Sequence, residues 1–335
     1  MSVSSSPATA PSDLPLSGRR VLVPGGLGFL GLNLVPALLA AGASVRLLNR
    51  SADPLAMSWL EEVRDGRSVE VCRGDIAETG NMRDWIEGVD VVVNLAGESG
   101  ALKSVREAQM DMRVNVAGHL NLLDALREAG ARPRVIFVSS RLVYGVTGPT
   151  PVTEDHPTRP TSLYGVHKLT VENYHRLYWE HYGIPYVVLR VTNPYGPYQL
   201  PRRVHHGVLN RFIMAAVRGE AIQLYGGGGQ LRDYISVKDV TRAVLLAATD
   251  PRAIANTFNV GFGAAVSIQS VTARILGIAG SGRLVDAPWP AGYRTVETGD
   301  FLCDVGRIRG ALGWSAGIDL DTGLRETVDA YRKLL

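Results

Sequence analysis

Three glycines at a fixed spacing, Gly25, Gly28 and Gly31, restrict what this chain can fold into more than any other feature of the sequence. They follow a β-rich run at 20–23 and precede an apolar helical pattern that ends at Gly42. In a strand–turn–helix unit, the first glycine permits a tight turn, the second a close pyrophosphate, and the third close helix–strand packing. Structural turns use the same glycines, so the pattern alone predicts a βα unit and leaves its ligand open.

Strand-like and helical stretches alternate along the first half of the chain. Further β-rich runs lie at 44–48, 68–73, 89–95 and 135–139, and the longest helical pattern between them spans about 107–129. This alternation predicts an α/β fold with a doubly wound, parallel Rossmann-type sheet, in which ligands bind at the carboxyl ends of the strands. The candidate dinucleotide contacts at those ends, and on the long helix, are Gly25, Gly28, Phe29, Leu30, Gly31, Asn49, Arg50, Asp75, Ile76, Leu95, Ala96, Gly97 and Asn115.

The end of the second strand bears on which dinucleotide is bound. An acidic residue there would accept hydrogen bonds from the adenosine ribose and repel a 2′-phosphate. Asn49 and Arg50 occupy this position instead. The missing acid weakens the case for NAD, and Arg50 leaves NADP open because a guanidinium can pair with the phosphate. Arg50 could equally be a solvated loop charge.

Tyr164 and Lys168 form a second group of interest together with Ser140. Ser162 is suited to cap a helix that runs to Gly183, and residues i and i+4 share one helix face. The Lys168 ammonium is therefore expected to lower the pKa of the Tyr164 phenol and favour the phenolate. The Ser140 hydroxyl, at the end of a strand, would orient an alcohol that this base deprotonates. Alone, a Tyr-x-x-x-Lys pair occurs by chance on many helices.

Composition narrows the class of protein. The chain has 335 residues, 46% hydrophobic and 20% charged, with a net charge of +3, which permits anionic ligands but does not indicate nucleic acid. The cysteines, Cys72 and Cys303, provide neither a disulfide framework nor a metal cluster, and no apolar run approaches the roughly 18 residues of a membrane span. No signal peptide is recognisable, so we expect a cytoplasmic protein that binds no metal and no membrane.

The expected domain organisation has three parts. Residues 1–17, rich in Ser, Ala and Pro, are predicted to form a disordered tail. Residues 18–192 are predicted to form the dinucleotide-binding domain, with 233–255 returning to it. Residues 193–232 and 256–335 then form a smaller α/β substrate-binding lobe. His205-His206 is interpreted as a loop near the substrate rather than a metal site, because no third ligand lies at suitable spacing.

These motifs, taken in order, resemble one family. The similarity rests on the glycine motif and on Gly74-Asp75, Asn94-Leu95-Ala96-Gly97, Ser139-Ser140-Arg141-Leu142-Val143-Tyr144-Gly145, Tyr164-x-x-x-Lys168, Asn193-Pro194-Tyr195-Gly196-Pro197, the run from Arg232-Asp233-Tyr234 to Val240, and Leu312-Gly313-Trp314. The chain resembles the extended short-chain dehydrogenase/reductases from residue 18 to its end. Within that family it is most similar to the nucleotide-sugar epimerases and dehydratases, above all to UDP-sugar 4-epimerases.

The resemblance implies roles for particular residues. Tyr164 would be the catalytic base and would also contact the cofactor, Lys168 would be its partner and a ribose ligand, and Ser140 would be the hydroxyl that orients the substrate. Further substrate contacts would come from Arg141, Asn193, Arg232 and Arg294, of which Asn193 and the last two arginines would bind the diphosphate. The implied cofactor is NAD, with NADP still open, and the implied ligand is a UDP- or dTDP-linked sugar. By analogy, the helices at about 107–129 and 162–182 would join two copies in a homodimer.

The implied reaction is transient oxidation of the sugar at C4. A 4,6-dehydratase of this family carries Asp-Glu at the positions of Arg141 and Leu142, and decarboxylating relatives carry Glu at the second. Neither Arg141 nor Leu142 can act as a general acid or base at neutral pH, so 4-epimerisation is favoured. Arg141 is either a structural surface residue or, as a hypothesis, the residue that selects a uronic acid. Two alternatives stay open: an NADPH-dependent keto-sugar reductase and a non-enzymatic binding protein.

Overall fold

The computed structural model describes residues 15–148, 151–201 and 207–335. Most of the predicted tail and the His205-His206 pair lie outside these residues. Leu16, at the end of the predicted tail, is buried, and its backbone N–H donates to the carbonyl of Ala41 at 2.9 Å. Leu16 therefore belongs to the folded part of the described chain, although the tail was predicted to extend to residue 17.

A seven-stranded parallel sheet forms the centre of the larger lobe, as predicted. Its strand order is β10-β6-β5-β4-β1-β2-β3. The described strands are β1 Arg20–Pro24, β2 Ser44–Asn49, β3 Val69–Arg73, β4 Val91–Asn94, β5 Arg134–Ser140, β6 Tyr186–Val191, β7 Asn193–Tyr195, β8 Ala221–Tyr225, β9 Leu231–Ser236, β10 Asn256–Val260, β11 Ala265–Ser267 and β12 Arg283–Ala287. The first strand, β1, lies between β2 and β4, so the order reverses there, and ligands of such sheets bind beyond the carboxyl ends at that point.

Helices cover both faces of this sheet. They are α1 Phe29–Ala40, α2 Pro54–Arg64, α3 Met82–Ile86, α4 Ala101–Arg106, α5 Ala108–Met112, α6 Gly118–Glu128, α7 Leu163–Tyr182, α8 Val208–Val217, α9 Val237–Thr249, α10 Ile268–Ala279, α11 Gly306–Leu312 and α12 Leu320–Leu334. Helices α1, α2, α9 and α11 bury their apolar side chains on one face, and α3 and α6 on the other. Because both faces are covered, strand residues such as Val21 and Val92 are fully buried.

The predicted long helix at 107–129 is not a uniform α-helix. Between α5 and α6 the backbone forms a π-helical segment, Arg113–Ala117, which contains Asn115. Such segments occur frequently at functional sites. The second long helix, α7, forms as predicted: the Ser162 hydroxyl accepts a hydrogen bond from the Gly165 N–H at 3.3 Å, and Gly183 ends the helix with φ 67°.

The smaller lobe is built from two short sheets. One has the strand order β11-β9-β7 and the other pairs β12 with β8. Helices α8, α10 and α12 pack together beside them around Phe212, Ile213, Ile275 and Leu324. The core of this lobe is separate from that of the seven-stranded sheet.

Two strands differ from the expected division. Strand β9 belongs to the small sheet, although 233–255 was expected to return to the larger lobe. Strand β10 is an edge of the large sheet, although 256–335 was assigned to the smaller one. Strand β10 pairs in parallel with β6, and its side chains Phe258 and Val260 are buried in the core of the large sheet. This pairing places β10 in the larger lobe. The division into a dinucleotide-binding and a substrate-binding lobe stays a prediction.

Candidate active site

Ser140, Tyr164 and Lys168 are brought together at the carboxyl edge of the large sheet. Ser140 is the last residue of β5, and its side chain lies within hydrogen-bonding reach of the Tyr164 hydroxyl. The backbone N–H of Tyr164, in the first turn of α7, donates to the Ser104 hydroxyl at 2.9 Å. The Lys168 Nζ donates to the Val138 carbonyl at 3.0 Å and lies 5.7 Å from the centre of the Tyr164 ring.

The pKa of Tyr164 differs from the expectation. Burial raises this pKa above that of a free phenol, and the nearby Asp111 carboxylate raises it further, whereas the hydrogen bond with Ser140 lowers it. Burial also lowers the pKa of Lys168 to about 8, against the opposing effect of Asp111 and Glu172. The reason is that the site is desolvated, and desolvation disfavours both the phenolate and the ammonium. Burial of the site therefore favours the protonated form of Tyr164 at neutral pH.

The glycine loop packs closely against the end of β4 and against the start of α1 only because it lacks side chains. A Cβ on Gly25, whose φ is 79°, would lie 2.8 Å from the Ala96 nitrogen at the end of β4. A Cβ on Gly31 would lie 2.2 Å from the carbonyl oxygen of Gly26, so the third glycine packs the helix against the loop itself. Within the described chain no side chain caps α1, and its first turn carries no acid. The N–H groups of Phe29, Leu30 and Gly31 thus begin a helix suited to an anionic group.

Asn49 supplies an independent sign that a polar ligand fits here. Its Oδ1 accepts a hydrogen bond from the Leu27 N–H at 2.9 Å and thereby ties the glycine loop to the end of β2. Its Nδ2 is buried and has no hydrogen-bond partner among the described residues. A buried donor without a partner costs free energy, and an oxygen of a bound dinucleotide would satisfy it.

Arg50 is paired rather than free. Its Nη2 lies 2.7 Å from Oε1 of Glu98, and the other oxygen of that carboxylate lies 2.8 Å from the Lys103 Nζ. The sequence analysis did not identify Glu98. A carboxylate held beside Arg50 repels a 2′-phosphate and competes for the guanidinium, so this contact favours NAD over NADP.

The remaining cofactor candidates divide into loop and core residues. The Asp75 carboxylate accepts from the Ala77 N–H at 3.0 Å, and Ile76 is buried in the core. Asn115 is fully buried, and its amide makes two hydrogen bonds with the Glu98 backbone, at 3.1 and 3.0 Å. A Cβ on Gly97 would lie 2.6 Å from the Asn115 Oδ1. Asn115 therefore shapes the 95–98 loop, in which Leu95 and Ala96 are partly exposed.

His119 is a buried residue that the sequence analysis missed. Its Nδ1 lies 2.9 Å from the Asn94 Nδ2, and its Nε2 lies 3.1 Å from the carbonyl oxygen of Ala96. Burial, followed by the Lys168 charge, lowers its pKa well below the usual value, so the ring is neutral. The one sequence signal was its position four residues after Asn115, on the same face of the helix predicted over 107–129.

Arg232 and Asn193 lie at the other end of the site. Arg232 is buried, pairs with Glu297 and donates to the Gly299 carbonyl. Asn193 donates to the Asp233 carbonyl at 2.7 Å. Arg294, in contrast, has an exposed side chain. The structure thus places Arg232 and Asn193 in one cluster and leaves Arg294 on the surface.

Arg141 is buried and not a surface residue. Its Nη1 donates to the Thr298 hydroxyl at 2.9 Å, its Nε donates to the Asn193 Oδ1 at 3.4 Å, and its guanidinium carbon lies 5.1 Å from the centre of the Phe301 ring. Burial, followed by repulsion from Arg232, lowers its pKa to about 9. The structural surface role considered for Arg141 is therefore wrong.

The described residues show neither a metal cluster nor a membrane-spanning element. In this part of the chain, no three His, Cys, Asp or Glu side chains are placed to hold a metal ion, and no helix is long and apolar enough to cross a membrane. Cys72 and Cys303 are free thiols.

Comparison with known proteins gives consistent matches over nearly the whole chain. Residues 21–261 match the sequence profile of the "NAD dependent epimerase/dehydratase family". The chain is 32% identical to the UDP-glucose 4-epimerase of Mycolicibacterium smegmatis over 93% of this chain and 98% of that protein. It is also 32% identical to a dTDP-glucose 4,6-dehydratase of Streptomyces griseus over 94% of both chains. The crystal structure of the Thermus thermophilus UDP-glucose 4-epimerase complexed with NAD superimposes with a TM-score of 0.83 and 29% identity, over 93% of this chain and 99% of that one.

Proposed function

The chain belongs to the NAD-dependent epimerase/dehydratase family, and we propose that within this family it is a nucleotide-sugar 4-epimerase. The matched relatives include both activities, so the chain is an enzyme of the nucleotide-sugar epimerase/dehydratase group. The choice between them rests on the site.

One observation carries the choice of epimerisation. Ser140 and Tyr164 lie within reach of each other, and the two residues that follow Ser140 are Arg141 and Leu142, neither of which is a carboxylic acid that could serve as a base at neutral pH. Removal of water across C5 and C6 needs both a base and an acid at the sugar. Among the described residues we assign proton transfer to Tyr164 alone, and one such group is sufficient for oxidation and reduction at a single carbon.

The roles of the residues follow from their contacts. Ser140 would hold the sugar 4-hydroxyl, and Tyr164 would take its proton and later return it. Lys168, fixed by the Val138 carbonyl, would place positive charge beside the phenol once a ligand is bound. The nicotinamide cofactor, when bound, accepts and returns a hydride.

NAD fits the dinucleotide site better than NADP. The uncapped first turn of α1 and the unpartnered Asn49 Nδ2 suit a pyrophosphate and a polar group near the adenosine ribose. The ion pair of Arg50 with Glu98 removes the feature that had favoured an NADPH-dependent reductase.

A UDP- or dTDP-linked sugar is the substrate we propose. Arg232 and Asn193 would hold its diphosphate, since guanidinium and amide groups donate to phosphate oxygens. Arg294 would have to fold inward to reach the same group, because its side chain is exposed.

We further propose that the protein is a cytoplasmic homodimer. Helices α4, α5 and α7 expose the apolar residues Val105, Met110, Met112 and Val166. Exposed apolar side chains grouped on neighbouring helices are suited to an interface with a second copy. Light scattering during gel filtration tests this proposal, and a monomeric mass at micromolar concentration would contradict it.

The function is tested by product analysis. The purified protein with NAD is incubated with UDP-glucose, UDP-galactose and dTDP-glucose, and the nucleotide sugars are separated and identified by NMR. Formation of the C4 epimer supports the proposal. A 4-keto-6-deoxy product would show a dehydratase, and net consumption of NADPH would show a reductase.

A further inference from the structure

Two arginines and one carboxylate lie close together: Arg141 just after β5, Arg232 in β9, and Glu297. Arg141 and Arg232 are both more than nine-tenths buried. Glu297 is bonded to Arg232, and its charge acts on Arg141 only at a distance. Burying a charge is costly unless a partner compensates it. Arg232 has that partner within the protein, but Arg141 does not have one among the described residues.

The hydrogen bonds of Arg141 are all to neutral groups. Thr298 and Asn193 accept from Nη1 and Nε, the latter at the long distance of 3.4 Å. Among the described residues no hydrogen bond is made by Nη2. A guanidinium that is buried, repelled by a second guanidinium and only partly hydrogen-bonded is suited to receive an anion.

The position of Arg141 indicates which part of the substrate it contacts. It directly follows Ser140, the residue proposed to hold the sugar 4-hydroxyl. Its guanidinium reaches Asn193, which lies beside Arg232 at the proposed diphosphate end. Arg141 therefore links the residue proposed to hold the reacting alcohol with the proposed diphosphate end, and we place the sugar ring beside it. A carboxylate at C6 is attached to the carbon next to C4 and would be within reach.

We propose that Arg141 is a specificity-determining residue that binds the carboxylate of an acidic sugar, so that the substrate is a nucleotide-linked uronic acid. This inference rests on the proposed function. A neutral sugar would offer the guanidinium only hydroxyl groups, whereas a carboxylate would supply the missing charge and a bidentate acceptor. Arg232 remains responsible for the diphosphate.

The test compares binding of UDP-glucuronate with that of UDP-glucose to the NAD-loaded protein by calorimetry. We expect the natural chain to bind UDP-glucuronate about 10- to 100-fold more tightly, the range for a hydrogen bond to a charged group. Arg141→Gln should abolish this preference with little loss of UDP-glucose affinity. Arg141→Lys keeps the charge without the planar fork and should retain part of the preference.

Arg325→Gln, at an exposed arginine of α12, is the matched control and should leave the ratio of the affinities for UDP-glucuronate and UDP-glucose unchanged. Equal affinity of the natural chain for the two nucleotide sugars would overturn the proposal without any variant. An equal loss of affinity for UDP-glucuronate and UDP-glucose in Arg141→Gln would also overturn the proposal. Arg141 would then bind the diphosphate, which both ligands share. Turnover of the same two substrates reports on the proposed function separately, since a preference in binding can exist without epimerisation.

Discussion

Arg190 and Glu172 form a buried ion pair beneath the candidate active site. The Nη2 of Arg190 lies 2.6 Å from Oε2 of Glu172, and Nε lies 3.1 Å from both carboxylate oxygens. The Ser139 hydroxyl also donates to this carboxylate, at 2.5 Å. Because Ser139 precedes Ser140, and Glu172 lies one turn after Lys168 on α7, the pair joins the strand and the helix that carry the site. It is therefore suited to a positioning role.

Glu172→Gln should lower both stability and turnover. Leaving Arg190 buried without its partner is expected to cost about 3–5 kcal/mol in the free energy of unfolding. A small displacement of Ser140 should lower kcat about 10- to 100-fold. Chemical denaturation and initial-rate assays measure the two effects.

The control for Glu172 lies on the same helix. Glu180 pairs with Arg176 at 2.8 Å, but both side chains are about half exposed. Glu180→Gln should therefore change the free energy of unfolding by only about 0.3–0.5 kcal/mol and leave kcat unaffected. Similar losses in the two variants would show that the buried pair has no special role.

Tyr164→Phe should lower kcat about 10²- to 10⁴-fold, since it removes the group proposed to transfer the proton. Affinity for UDP should be unchanged, because Tyr164 is not one of the residues proposed to hold the diphosphate. Calorimetry and product analysis check these two results. Tyr182→Phe, at an exposed tyrosine near the end of the same helix, is the control. Full activity of Tyr164→Phe would disprove the assigned base.

Asp111→Asn should shift the pH profile of kcat to lower pH. The Asp111 carboxylate, after burial, raises the pKa of Tyr164, and it opposes the lowering of the pKa of Lys168 by burial. Without that charge the phenol loses its proton at lower pH, and so does the ammonium. Lys168, with a pKa of about 8, is the group of the two that titrates within the measured range, so the limb that it controls should move in the acid direction.

Measurement of kcat from pH 6 to pH 10 tests the prediction for Asp111. Asp329→Asn, at an exposed carboxylate of α12, should leave the profile in place. Since Asp111 also contacts His167, with 2.6 Å between Oδ1 and Nδ1, thermal unfolding of the variant has to be measured alongside. A profile that stays unchanged in a folded Asp111→Asn protein contradicts the charge effect.

Glu98→Gln should weaken the discrimination against NADP. The natural chain is expected to bind NAD more tightly than NADP, because Glu98 holds Arg50 and adds negative charge near the ribose site. Neutralising the Glu98 carboxylate frees Arg50. The affinity for NADP relative to that for NAD should then rise about fivefold, which corresponds to the free energy of a partly exposed ion pair. Glu107→Gln is the matched control, since Glu107 approaches Lys103 at 3.8 Å but is not paired with Arg50 in the described structure. Tighter binding of NADP by the natural chain would reverse the assignment.

Local patterns were sufficient for much of the fold. The period of the apolar residues, the helix cap at Ser162 and the glycine at 183 predicted α7 correctly, because these signals act within a few residues. The parallel sheet followed in the same way from alternating strands and helices. The π-helical segment around Asn115 gave no such signal, since it depends on contacts between that amide and the distant Glu98 backbone.

By itself, the sequence determined the family, the parallel sheet and the candidate residues Ser140, Tyr164 and Lys168, because motif order and spacing are local properties. Only the tertiary structure decided the electrostatic state of each. Burial raises the pKa of Tyr164 where helical spacing to Lys168 alone predicted a lower one. The pairing of Arg50 with Glu98, 48 residues away, and the burial of Arg141 beside Arg232 were likewise decided by the fold. Desolvation and charge pairing depend on neighbours distant in the chain, and folding alone places those neighbours together.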